Sequence, residues 1–295
     1  MQKTLLYIVF FLSLFSCTKE IVIDLESGEQ MIGIYGSITT EKKKHTIVLS
    51  RSADFYVQGE PEMISNAQIS VFDGNHTILL EEDPLQLGHY RTREEIAGEI
   101  GLNYQLSVDF REKDGTAKHF TAESAIRPVP EKIDSAKVMP YTFNGREIEN
   151  HLKICPYFQT IADKEMIYLI KIAVEEVLIT DTLTKSSILR MGELNGLYFN
   201  GPEMKSIFND NDFPLGIYMI DTKKDNVKAN DKITIYLYSI ENDYRRFIQD
   251  IESSLGSNPF MGTPTNVRSN IQPAGKAIGY FFAASMIEYS FVYEE

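Results

Sequence analysis

Tryptophan is absent from this chain, cysteine occurs twice and histidine five times in 295 residues. Without tryptophan the chain lacks the side chain most used to stack sugars, although 16 tyrosines and 17 phenylalanines leave ring stacking available. Two cysteines, Cys17 and Cys155, permit at most one disulfide, so this is not a disulfide-stapled scaffold. His45, His76, His89, His119 and His151 are scattered, no two lie at i, i+4, and no His-Glu-x-x-His occurs. The zinc-protease ligand set is therefore missing. No Gly-x-Ser-x-Gly elbow and no Gly-x-x-x-x-Gly-Lys-Ser/Thr phosphate loop is present. Lys and Arg number 29 against 42 Asp and Glu, a formal net charge of −13. That balance argues against a polyanionic partner such as nucleic acid, whose binding rests on clustered cations, and against adhesion to anionic lipid through a basic patch. The apolar run Leu5 to Leu14 falls well short of the roughly 20 residues that a helix needs to cross a bilayer.

The chemistry that remains in view is thin. Glu81-Glu82, Glu94-Glu95 and Glu175-Glu176 are neighbours in sequence, and on a strand neighbours point to opposite faces, which makes them poor acid/base partners. Asn209-Asp210-Asn211-Asp212 has the look of a calcium loop, but Pro214 and Ile220 stand where the sixth-position Gly and twelfth-position Glu belong. We expect no catalytic set, no metal and no cofactor.

The N-terminus is more informative. Lys3, the apolar run and then Leu14-Phe15-Ser16-Cys17 resemble a bacterial lipoprotein signal: a charged start, a short apolar stretch, a small residue at the cleavage point, then cysteine. The resemblance implies removal of residues 1–16 and acylation of Cys17, with residues 17–30 as a lipidated tether. Cys155 then has no partner. Its setting, Leu152-Lys153-Ile154-Cys155-Pro156-Tyr157-Phe158, marks it as a core residue. Thr18-Lys19-Glu20 resembles the tag that sends Bacteroidota lipoproteins to the cell surface, with one acidic residue where the tag carries two.

From Met31 the pattern has period two. Ile32, Ile34 and Ile38, then Ile47 and Leu49, then Ile69 and Val71 read as half-buried strands. Asp73-Gly74-Asn75, Leu87-Gly88 and Lys113-Asp114-Gly115 read as turns, and Asp114-Gly115 predicts a hairpin between strands around Leu106–Phe110 and His119–Thr121. Ala67, Gly88-x-Tyr90 and Tyr104-x-Leu106-x-Val108 resemble the immunoglobulin-like or prealbumin-like sandwich of carboxypeptidase regulatory-like domains. We assign residues 31–127 to that sandwich. Arg127-Pro128-Val129-Pro130 reads as a linker, and residues 133–295 as a second β-rich domain. Strands are expected at Met166–Ile179, Lys232–Ile240, Gly279–Ala284 and Ile287–Tyr293. Tyr244, Phe247, Ile248, Ile251 and Leu255 predict one amphipathic helix over about 241–255, capped by Ser239 or Asn242. The fold class is mainly β with a single helix.

Asn258-Pro259-Phe260, Pro264-x-Asn266-Val267, Ser269-Asn270-Ile271 and Gly275 with Gly279-Tyr280-Phe281 resemble the closing signature of a family of uncharacterised Bacteroidota lipoproteins. The resemblance runs end to end, through Cys17, Gly36, Asn66-Ala67, Gly88-x-Tyr90 and Ile133-Asp134-Ser135, and departs at Ala274–Ile278. It implies a non-catalytic outer-membrane lipoprotein, a ligand-capture or accessory subunit of a TonB-dependent receptor. A structural role in the cell envelope, with the sandwich making protein contacts, is the alternative. The residues of the closing signature have a plainer use as turn caps, positive-φ glycines and core aromatics.

Overall fold

The computed structural model describes residues 31–51, 61–143, 145–158, 166–180, 187–190, 205–206, 219–223, 225–256 and 267–294. The lipobox, the tether, Asn209–Asp212 and the signature residues 258–266 lie outside these. In chain order the strands are β1 (Ile32–Thr39), β2 (Thr46–Arg51), β3 (Gln68–Phe72), β4 (Thr77–Asp83), β5 (Gln86–Thr92), β6 (Asn103–Arg111), β7 (Ala117–Ala125), β8 (Ser135–Phe143), β9 (Arg146–Phe158), β10 (Ile167–Val174), β11 (Val177–Leu178), β12 (Ser187–Arg190), β13 (Lys205–Ser206), β14 (Met219–Asp221), β15 (Lys232–Ser239) and β16 (Ala277–Val292). Helix α1 (Asn242–Gly256) precedes β16. Among the described residues the protein is mainly β with one helix, as its sequence pattern predicts.

One sheet runs β11-β10-β15-β16-β1-β2-β5-β4-β3-β6-β7, with β12 also on β10. Alternation dictates its first part. Ile32, Ile34 and Ile38 of β1, Ile69 and Val71 of β3 and Tyr104, Leu106, Val108 and Phe110 of β6 all turn inward to one core, while their neighbours face out. The Asp114-Gly115 hairpin joins β6 to β7 as expected, with Arg111 facing Ala117 and Gly115 at φ +85°. The sheet curls until β7 meets the approach to β16: Thr121 and Gln272 exchange backbone hydrogen bonds of 3.0 and 2.7 Å.

The last strand departs from expectation. Two short strands are predicted at the C-terminus, and the structure has one strand of 16 residues. Nothing between Ala284 and Ile287 favours a turn, so the chain stays extended and changes partner instead. Ala277–Ala284 pair in parallel with β1, and Ser285–Val292 pair antiparallel with β15. The segment Arg127–Pro130 lies between β7 and β8, and β16 binds strands from both sides of it. The predicted strand Met166–Ile179 is also interrupted. Glu175 (φ 49°) and Glu176 (φ 68°) form a tight turn between β10 and β11, so these carboxylates sit on a turn and not on opposite strand faces.

Beyond β1 the structure has three layers. One face of β10 and β15, with Tyr168, Ile170, Ile172, Ile233, Ile235 and Leu237, packs on a second sheet in which β9 pairs β8 on one side and β13 and β14 on the other. Cys155 of β9 is buried in this core. The other face, with Ile167 and Leu169, packs on α1 through Tyr244, Phe247 and Ile248. Burial on both faces explains why β10 is a continuous apolar run. The helix reaches back across the joint. Its Tyr244 ring stacks on Phe282 at 4.1 Å and its hydroxyl lies 2.8 Å from that of Tyr35 on β1. Neither predicted cap is used: Glu241 precedes the first helical residue, its carbonyl accepts from Arg245 N–H (3.2 Å), and its carboxylate accepts from Ser124 Oγ (2.7 Å).

Candidate functional site: the base of the sandwich

Strand registers bring several loops to one end. Ile32 faces Arg51 on β2 and Ala277 on β16. Val48 faces His89, which sets the Gln86 end of β5 beside the Arg51 end of β2. Gln68 faces Asp109, which sets the β6–β7 hairpin at this same end. The base therefore gathers the entry to β1, the β4–β5 turn, the β6–β7 turn and the Pro273–Lys276 approach to β16.

Arg51 is the centre of its charge network. Both Nη atoms reach the Glu112 carboxylate, Nη1 at 3.1 Å to Oε1, and Nε lies 3.7 Å from Glu62. The Glu112 hydrogen bonds push the Arg51 guanidinium pKa further up. Lys113 Nζ donates to Glu62 Oε1 at 2.7 Å, and this bond holds the Glu62 carboxyl below its ordinary range. Two clefts open here, of about 400 Å³ beside Arg51, Glu112 and Lys113 and about 380 Å³ beside Ile32, Lys118 and Lys276. The walls of the first are charged and largely paired with themselves, unlike the apolar lining of a small-molecule pocket, while the second mixes Ile32, Ala117, Phe120 and Pro273 with charged side chains.

The β4–β5 turn is the other feature of the base. Asp83 pairs with Gln86 across the two residues Pro84 and Leu85. Asp83 Oδ1 accepts from Leu85 N–H at 2.9 Å, and its other oxygen lies 3.1 Å from Arg91. Glu82 turns back to accept from the N–H groups of Gly88 (2.8 Å) and Asn66 (3.0 Å), which outweigh burial and lower its pKa. Gly88 is required, because its φ is +72° and a Cβ would stand 2.7 Å from the Leu49 carbonyl oxygen. Against this tightly bonded turn, Leu85 is 92% exposed and Leu87 62%.

His119 Nδ1 lies 2.7 Å from Asp109 Oδ1, and Ser107 Oγ donates to Asp109 Oδ2 at 3.2 Å. The carboxylate stands between the other two, so no hydroxyl–imidazole hydrogen bond activates a nucleophile, and the trio lies on an open sheet face. Among the described residues no three His, Cys, Asp or Glu side chains group as a metal site. The tyrosine cluster of Tyr35, Tyr244 and Tyr280 has its hydroxyl pKa values raised, burial being the main cause, so these groups stay protonated and serve packing.

His45 is the one buried histidine. Nε2 lies 3.1 Å from the Ile96 carbonyl oxygen and Nδ1 has no hydrogen-bond partner among the described residues. Burial lowers its pKa, aided by Lys43 and opposed by the Ile96 carbonyl and Glu41. The unfolded chain then takes up the proton first as pH falls. The stability this group contributes is full above its unfolded pKa of about 6.5 and declines below it, at no more than about 1.4 kcal/mol per pH unit. Urea unfolding at pH 7.5 and 5.5 should show this slope in the wild type and a flatter one in His45→Gln. Equal slopes would refute the assignment.

The closing signature has a structural use where it is described. Ser269 Oγ donates to the Gly279 carbonyl at 2.7 Å. The Asn270 side chain donates to the carbonyls of Phe281 (2.7 Å) and Glu123 (3.0 Å) and accepts from Phe281 N–H (3.1 Å), tying β7 to β16. Phe281 is in the core. A family described as a domain of unknown function (DUF4249) matches residues 18–290. The chain belongs to the DUF4249 family. Among curated proteins, none matches it. In this DUF4249 protein the landmarks Gly88, Tyr90, Asn270 and Gly279 bond or pack backbone to backbone. Tyr90 does so by donating to the Ile64 carbonyl (2.8 Å) and accepting from Ala67 N–H (2.9 Å). What sequence reasoning missed is the base. The Arg51–Glu112 pair joins distant segments and leaves no local signal. The Leu85 turn does leave one, since leucine between Pro84 and Gly88 contradicts turn chemistry.

Proposed function

We propose that this DUF4249 protein is an outer-membrane lipoprotein, anchored through acylated Cys17 and facing the cell surface. It acts without catalysis as an accessory subunit of a TonB-dependent receptor, where it takes part in ligand capture. One observation carries the reading. β1 begins at the base, beside the tether, and β16 runs parallel to it and then continues for another eight residues past Thr39. At about 3.3 Å per residue, β10, β15 and the three-layer half stand some 25 Å beyond the base. A chain held by lipid at residue 17 would present that half away from the bilayer, where a neighbouring receptor can meet it. The self-paired charges beside Arg51, and the lack of an activated nucleophile among the described residues, fit a protein that works by contact.

The alternative, a structural or assembly protein of the envelope, is favoured by β8. Among the described residues β8 pairs with β9 alone, and its outer edge offers a strand-addition site, interrupted at Pro140. Affinity capture of the tagged lipoprotein from solubilised outer membranes, with identification of what is retained, separates the two. Co-purification of a large β-barrel receptor is expected. Retention of envelope proteins with no barrel among them would select the assembly reading.

A further inference from the structure

We propose that the base of the sandwich is a membrane-contact surface, with Leu85 and Leu87 seated in the lipid interface. This rests on the anchored reading above and deepens it by assigning which face meets the bilayer. Three observations converge on it.

The first is the turn itself. Pro84 and Leu85 form a two-residue connection held by Asp83 and Glu82, so the leucines are not exposed for want of structure. Folding does not explain them either, because Leu85 and Leu87 point to solvent while the inward positions of the same strands, Leu80 and Tyr90, fill the core. Two exposed leucines on a held turn, with Asp83 and Glu82 accepting from backbone N–H groups and the intervening Gln86 amide engaged by Arg91, match the chemistry of an interfacial anchor.

The second is local charge. The chain as a whole is strongly acidic. At the base Arg51, Arg91, Arg111, Lys113, Lys118 and Lys276 stand among Glu62, Glu82, Asp83, Asp109, Glu112 and Asp114, so charge is balanced at this end. Glu62 and Glu112 are engaged by Arg51 and Lys113, and Asp83 by Arg91. Long cationic side chains at a lipid interface keep their heads at the phosphates while their stems lie along the acyl boundary. This end lacks the acidic excess of the whole chain, so it meets a lipid surface without the repulsion that the net charge implies.

The third is where the anchor enters. The described chain starts at Met31, one residue before the strand whose first residue faces Arg51 and Ala277. Residues 17–30 separate it from Cys17. A chain of that length spans about 20 Å as a coil and at most about 50 Å extended. The base is thus the part of the fold held nearest the bilayer, at an effective lipid concentration that turns a weak contact into a populated one.

The test uses the full-length lipoprotein in vesicles of phosphatidylethanolamine and phosphatidylglycerol. A Leu85→Cys variant is labelled with an environment-sensitive fluorophore; Cys155 is buried and Cys17 is acylated, so the label goes to one place. The control label is Val177→Cys, at the far end of the sheet and 66% exposed. Spin-labelled lipid should quench the probe at 85 by about twofold and leave the probe at 177 unchanged, as expected for insertion to the headgroup–acyl boundary. In a Gln86→Cys chain, Leu85→Asp with Leu87→Asp should abolish the quenching. Flotation of the vesicles reports the anchor separately. If the chain does not float, the same chain with a hexahistidine tag in place of residues 1–16 and Cys17→Ser, held by nickel-chelating lipid, repeats the single-site measurement without acylation. Equal quenching at 85 and 177, or none at 85 in a vesicle-bound chain, overturns the inference whatever the flotation shows.

Discussion

Replacing Gly279 by alanine should destabilise this protein by about 4 kcal/mol or more, among the largest single-residue effects. Two costs add at one atom. The residue sits at φ +104°, where an L side chain is strained by about 1–3 kcal/mol. Its Cβ would also stand 2.0 Å from the Ile34 carbonyl oxygen and 2.8 Å from the Ile34 carbonyl carbon. Those are backbone atoms of β1, and they have no rotamer through which to yield. Relief requires β1 and β16 to separate, and that pair is where the sandwich strands meet the strands of the three-layer half. Gly275→Ala is the control. It has a similar positive φ (+74°) with nothing within 4 Å of the added carbon, so it carries the strain without the collision and should cost about 1–3 kcal/mol. Thermal unfolding should place Gly279→Ala about 10 °C or more below the wild type, with Gly275→Ala between. If the two variants melt together, the close approach of β1 and β16 is not what makes Gly279 necessary.

That pairing also marks the boundary of what the sequence reveals. Alternation at Ile69 and Val71 or at Leu106 and Val108 is local, and so is the Asp114-Gly115 turn; such signals place strands and hairpins without tertiary knowledge. The stripe of Tyr244, Phe247, Ile248 and Ile251 places α1 within one residue at each end for the same reason. Parallel pairing between the first and last described strands has no local correlate. Nor does the change of partner at Ser285, which keeps β16 straight where two strands are expected. The Glu175-Glu176 turn is hidden by composition, because two glutamates replace the Asn or Gly that normally signals positive φ. At the base, Arg51 meets Glu112 only through folding. Leu85 is the exception: an apolar residue in a turn conflicts with local rules, and such conflicts tend to mark function.

Cys17→Ala should move the protein from the membrane fraction to the soluble fraction. The physical claim is one of chain count. A single acyl chain gives only marginal, reversible binding, with an association constant of about 10⁴ M⁻¹, whereas two or more give stable attachment. On the proposed reading alanine removes the sulfur that would carry them, and no helix among the described residues is long and apolar enough to cross a bilayer in its place. The base alone offers two leucines and a ring of partly paired cations, too little for retention through a high-salt wash. Fractionation followed by carbonate and high-salt washing should recover the wild type with the membranes and the variant in the supernatant. Mass spectrometry of the wild-type N-terminus should show an acylated Cys17 as the first residue. A variant that stays with washed membranes would mean that the sheet's own surface carries the attachment, and the base would then be its first place to look.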